Sequence, residues 1–147
     1  MMIRNFQNTD AGAIRAIRYP HLSEREIQYL IAEWNQKQFN GRYFEMFAII
    51  SGEAIVGSIS LYQQSTEVIS IGPEIFEPYR REGYAKKAMA HACQLAKQKG
   101  YKIVSQQIRI DNDASIALHT SLGFETNGLI YTNAKGNQVA VFLKSLL

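Results

Sequence analysis

The sequence predicts an α+β fold, a mixed and mostly antiparallel sheet flanked by helices, and three observations lead there. Three apolar runs, 43–51, 54–63 and 66–76, follow one another with only short turns between them. Consecutive strands joined that tightly must be antiparallel. The third run is followed by a turn, a helical pattern over 83–99 and a further apolar run over 101–110. A strand–helix–strand connection crosses over right-handedly and makes its two strands parallel. Finally, Ile27, Leu30, Ile31 and Trp34 recur at helical spacing ahead of the first hairpin, giving a helix with an apolar face to bury.

The 147 residues favour one domain spanning 1–147, with 46% hydrophobic and 20% charged residues. The net charge of +3 is mild and scattered, which argues against a dedicated nucleic-acid binder and suits an anionic small ligand. The single cysteine, Cys93, excludes an internal disulfide. That points to a reducing compartment, and the expected location is cytoplasmic. No apolar run is long enough to span a membrane, and Met1–Phe6 lacks the pattern of a signal peptide.

In chain order, Met2–Phe6 reads as an opening strand. Thr9 or Asp10 is expected to cap a helix over Ala11–Arg18, and Tyr19-Pro20 stops it. Ser23 and Glu26 form a capping box for the second helix. Ser51-Gly52-Glu53 closes the first hairpin. Gly100 ends the long helix. Asp111 or Asn112 caps the last helix, which ends at Gly123, and 124–133 and 137–144 form a closing hairpin. There are no repeats and no linker.

The chemistry concentrates between Ser70 and Lys99. An apolar run ends near Phe76. Arg80-Arg81-Glu82-Gly83-Tyr84-Ala85-Lys86 turns the chain into a helix. A helix start offers free N–H groups to an anion, Gly83 lets a ligand approach the backbone closely, and the two arginines add positive charge. Arg80-x-x-Gly83-x-Ala85 resembles the Arg/Gln-x-x-Gly-x-Gly/Ala signature of the GNAT superfamily, the acetyl-CoA-dependent N-acyltransferases. Asn112, Ser115, Gly123 and Phe124 match that family's second signature in spacing. The resemblance covers 49 to the C-terminus and extends more loosely to the first forty residues.

The resemblance implies an N-acetyltransferase that moves an acetyl group from acetyl-CoA to a primary amine of a small molecule or peptide by direct attack in a ternary complex. No metal is needed. It implies coenzyme binding by Arg80, Arg81, Glu82, Gly83, Tyr84, Ala85 and Lys86 on the phosphates. Ile75 and Phe76 serve on an unpaired strand edge that Pro73 helps to open, and Asn112 and Ser115 lie nearby. The Ile75 N–H is the expected oxyanion donor.

Two positions depart from the family. His119 stands where a tyrosine acid is common and is the candidate acid. Ser70 stands where a glutamate base is common; Glu74 and Glu67 are the two carboxylates that could substitute, and Glu74, closer to the splay, is the candidate base. Gln107 replaces the carboxylate of the ribosomal-protein acetylase branch, which makes that branch less expected. Glu24, Glu26, Glu33 and Glu45 offer charge that would attract a cationic amine, and Tyr131 is a candidate for the acceptor cleft. Cys93 is expected to be packing. The alternative reading is a non-catalytic acyl-CoA sensor on the same fold. A homodimer is the expected form of any self-association.

Overall fold

A computed structural model describes all 147 residues. It contains a sheet of eight strands: β1 (Met2–Asn5), β2 (Gln38–Phe39), β3 (Arg42–Ser51), β4 (Ala54–Gln63), β5 (Val68–Ile75), β6 (Ile103–Arg109), β7 (Tyr131–Thr132) and β8 (Gln138–Ser145). Four α-helices flank it: α1 (Ala11–Ile17), α2 (Glu24–Trp34), α3 (Tyr84–Gln98) and α4 (Asp113–Ser121). The strand order is β1-β3-β4-β5-β6-β8-β7, with β2 paired to β3. Every pairing is antiparallel except β5 with β6, as the crossover demands.

Alternation along the strands divides the core in two. Ile49, Val56, Ile59, Leu61, Ile69 and Ile71 point to one face and meet Ala88, Met89, Ala92, Cys93 and Ala96 of α3. The alanines let that helix lie close to the sheet. Cys93 is buried and unpaired, and burial pushes its thiol up despite the opposing pull of Lys144. Ala48, Ile50 and Phe76 join the second core with Ile14, Ile27 and Ile31 of α1 and α2.

Several local expectations need correction. Neither Thr9 nor Asp10 caps α1 with its side chain; a short 3-10 turn over Asn8–Asp10 precedes it. The Asp10 carboxylate instead accepts from the Gln7 N–H and from Arg4, both at 2.8 Å. The closing hairpin is also shorter than the apolar run suggested. Within 124–133 only Tyr131–Thr132 form a ladder with β8, Glu125 adds an isolated bridge to Leu143, and left-handed Gly128 (φ +78°) interrupts the run between them. The Ser23–Glu26 capping box forms as expected.

Candidate functional site

The corner between β5 and α3 is built from backbone. After β5 a short 3-10 turn over Glu77–Tyr79 leads to Arg80. Arg81 then takes φ +67° and Gly83 φ +81°. A left-handed Arg81 is a strained conformation of the kind found at ligand clamps. Gly83 is the N-cap of α3 and has no side chain to cap it, so the first N–H groups of the helix face outward without a side-chain partner. The Arg80 Nε donates to the Ile75 carbonyl at 2.9 Å, tying the turn to the end of β5. Arg80, Arg81 and Lys86 have no carboxylate partner.

These residues line an open groove of about 710 Å³ together with Ile75, Ala85, Asn112, Ser115 and Leu118. Asn112 caps α4 through its Oδ1, which accepts from the Ser115 N–H at 3.1 Å. Glu74 is the groove's only carboxylate. It is held by the Arg18 Nε, 3.0 Å from both of its oxygens. Arg18 comes from the end of α1, so this ion pair bridges the helical flank to β5.

The strand edge opens earlier than the sequence suggested. β5 and β6 pair only at Val68↔Ile103 and Ile69↔Val104. At the next step the Gln106 side chain stands between the strands. Its Oε1 accepts from the Ile71 N–H at 2.9 Å, and its Nε2 donates to the Ile71 carbonyl at 2.6 Å. Phe76 donates its N–H to Val56 of β4 at 2.9 Å. Odd-numbered backbone groups of β5 therefore face β6, and even-numbered ones face β4. Pro73 has no N–H to leave unpaired on the open side. The Ile75 N–H shares that parity and looks toward the opening.

Three expected site residues are placed otherwise by the structure. Phe76 is buried in the second core, its N–H donates to the Val56 carbonyl and its carbonyl accepts from the Tyr79 N–H, so it faces away from the opening. Glu82 is exposed and does not line the groove. His119 is 3% exposed and does not line it either. Its Nδ1 lies 2.7 Å from the Ser115 carbonyl and its Nε2 lies 3.3 Å from the Gln106 Nε2. The carbonyl can only accept, so Nδ1 carries the proton and Nε2 receives one from the amide. With both nitrogens engaged, the ring is poorly arranged to hand a proton to a leaving thiolate.

The remaining expected positions divide similarly. Tyr84 lines the groove, but its hydroxyl donates to the Ser51 Oγ at 3.0 Å, which leaves its backbone for a ligand. Glu45 is buried, bound by Tyr43 and Asn5 and flanked by Lys37 and Lys99. Burial pushes its carboxyl up, but those partners outweigh the effect and hold it below the usual carboxylate range. It is part of the framework, and Glu26 is spent on its helix cap. Tyr131 lies on β7, beyond β6 and β8 from the groove.

Two residues escaped the sequence reading. Gly57 of β4 faces Ile75, and a Cβ there would come within 2.2 Å of the Glu74 carbonyl. Its sequence signal was a glycine inside a strand, which marks close backbone approach. Gln106 carried no signal, because its partner Ile71 is distant in sequence. No group of three or more His, Cys, Asp or Glu side chains is arranged to hold a metal, and no helix is long and apolar enough to cross a membrane.

Comparison with known proteins agrees with this geometry. No curated protein sequence matches. Among solved structures, RimJ of Mycobacterium smegmatis in complex with CoA-disulfide is similar at TM-score 0.84 and 15% identity, over 97% of this chain and 80% of that one. YncA of Salmonella typhimurium, solved with acetyl-CoA, is similar at TM-score 0.74 and 16% identity, over 100% and 94%. An N-acetyltransferase of Staphylococcus aureus Mu50 is similar at TM-score 0.73 and 23% identity, over 99% and 98%. At these identities the likeness speaks for the fold. The sequence model of the Acetyltransferase (GNAT) family matches residues 8–124, and the chain belongs to that family.

Proposed function

We propose that this chain, working as one domain over 1–147, transfers an acetyl group from acetyl-CoA to a primary amine of a small molecule or peptide, by direct attack in a ternary complex. The observation that carries this reading is the uncapped N-terminus of α3, with left-handed Arg81 and Gly83, set beside the open edge of β5. Successive N–H groups in such a turn form a concave anion site. The unpaired backbone of β5 suits the amides of an extended pantetheine arm.

Acetyl-CoA supplies an activated acyl carbon and a thiolate leaving group. Arg81, Lys86 and the first N–H groups of α3 neutralise and orient the diphosphate. Arg80 fixes the turn against β5 while its terminal nitrogens stay available. Asn112 and Ser115 hold the α4 side of the groove. The Ile75 N–H, aimed into the opening, is placed to stabilise charge on the acyl oxygen; removing such donors elsewhere costs about 2.7–4 kcal/mol. Direct attack is favoured because Cys93 is buried in the core and far from serving as a nucleophile. Glu74 draws the incoming amine toward β5 and takes its proton, either directly or through water. A single unpaired thiol suits a reducing compartment, and the cytoplasm is the proposed location.

The sensor reading keeps one support: both ring nitrogens of His119 are engaged, and Glu74, the groove's only carboxylate, is already paired with Arg18. One assay separates the two. Acetyl-CoA is incubated with a panel of amino acids, polyamines, aminoglycosides and peptides, and released thiol is measured. Turnover with any amine establishes the enzyme. Tight acetyl-CoA binding with no turnover across the panel establishes the sensor.

A further inference from the structure

We propose that Gln106 and His119 are positioning residues that hold the slot between β5 and β6 open, Gln106 as the spacer and His119 as the group that fixes its orientation. The inference rests on coenzyme binding at the groove.

Parallel strands normally bond backbone to backbone along their length. Here β5 and β6 do so for two residue pairs, and then a side-chain amide takes over. The Gln106 carboxamide presents one donor and one acceptor to Ile71, as a peptide group of an adjacent strand would. Both Ile71 groups are satisfied while β6 is kept a side-chain length away. One step further on, Pro73 offers no donor that might draw the strands together again. β6 meanwhile stays paired to β8 along its length, from Ile103↔Ser145 to Arg109↔Val139, so it diverges as part of a stiff ribbon.

An amide can point two ways. If Gln106 were flipped, its oxygen would face the Ile71 carbonyl and its NH2 would face the Ile71 N–H. His119 adds a further bias against this. Its Nδ1 proton is committed to the Ser115 carbonyl, so its Nε2 is a bare lone pair aimed at the second Gln106 N–H. The ring is held in place by Phe124, edge-on with centroids 4.9 Å apart. Both residues are nearly fully buried, at 7% and 3% exposure, and no buried side-chain polar atom lacks a partner. A half-satisfied network in such a place is costly. A cavity of about 190 Å³ lined by Ile71, Pro73, Gln106, Ser115 and His119 lies in the opening. It shares Pro73 and Ser115 with the coenzyme groove.

On this view the residue at 119 must accept a hydrogen bond and need not donate a proton. Glutamine can place an oxygen near the position of Nε2, whereas leucine cannot. The test compares H119L, H119Q and Q106L with the wild type. CoA affinity is read by calorimetry, which requires no acceptor, and Ile71 amide exchange is read by NMR. Leaving buried donors or acceptors unpaired should weaken CoA binding about tenfold in H119L and Q106L. H119Q should recover most of that affinity, and Ile71 should exchange faster in H119L than in H119Q.

CoA binding equal to wild type in folded H119L and Q106L would overturn the proposal. So would a loss of turnover in H119Q as large as in H119L at unchanged CoA affinity, which would make His119 an acid. If Q106L does not fold, the H119L–H119Q pair decides alone. Wild-type protein that fails to bind CoA would sink the parent reading instead. The Ile71 exchange rates would still judge the spacer and its orientation by His119, and equal rates in H119L and H119Q would refute it.

Discussion

The corner proposed to hold the coenzyme and the α1–α2 flank meet at β5, yet they are made differently. The corner is backbone: a left-handed arginine and glycine, an uncapped helix start and an open strand edge. The flank is side chains: a capping box, a small apolar core and the Arg18–Glu74 ion pair. A donor that never changes can be gripped by main-chain geometry, which a short motif encodes. The proposed amine acceptor would be met by side chains brought together from distant elements, and such a set leaves no short motif.

Mutations should respect that boundary, and the largest effect should fall at the corner. Gly83→Glu places a carboxylate and a Cβ at φ +81° where the phosphates are proposed to sit, so a CoA titration should show no measurable heat. Gly83→Ala separates the two causes. Nothing lies within 4 Å of its Cβ, so only the backbone strain of about 1–2 kcal/mol remains. Equal CoA affinity in the glutamate variant would move the coenzyme elsewhere.

Gly57→Ala comes next. Its Cβ would collide with the Glu74 backbone, so β5 must shift and carry Ile75 with it. Turnover should fall about tenfold or more, in line with a misplaced donor, and the melting temperature should drop as well. A wild-type rate would mean that the position of Ile75 is not critical.

Arg18→Ala tests the flank. It frees Glu74 from an exposed ion pair of the kind that contributes about 0.2–1 kcal/mol. The acceptor KM should change by a few-fold at most while CoA affinity stays constant. A large change in CoA affinity would erase the proposed division between the two regions.

The smallest effect should appear only in acid. Arg4 hydrogen-bonds to Asp10 and, against the opposing effect of burial, holds its carboxyl below the ordinary value of 3.8; the Gln7 N–H helps. The unfolded chain therefore takes up this proton at a higher pH than the folded one. The resulting stability is complete above the unfolded pKa and fades as pH falls through the folded one. Asp10→Asn should flatten the melting temperature between about pH 5 and 2 and leave coenzyme affinity untouched. An unchanged acid slope would remove Asp10 from the account.

Much of the sheet was legible because strand alternation and short turns are local. Ala54–Gln63 is the strand the sequence predicted, residue for residue. The corner was legible because its parts are adjacent in the chain. The opening between β5 and β6 was misplaced because Gln106 and Ile71 are joined only by folding. His119 could be aligned with a tyrosine position by spacing, but spacing cannot show that both ring nitrogens are engaged. Phe76 failed for a similar reason, since strand parity turned its N–H toward β4.

Cys93 is the chain's only sulfhydryl, and it lies on the buried side of α3. Its side chain borders a shallow pocket shared with Leu122, Lys144 and Leu146, so a thiol-directed dye should reach it most readily when that helix moves away from β8. The same helix starts at the corner, so anything clasped by its first turn must hold it down and slow the dye in proportion to occupancy. Dye labelling of Cys93 against coenzyme concentration would therefore report capture at the proposed corner without an acceptor amine.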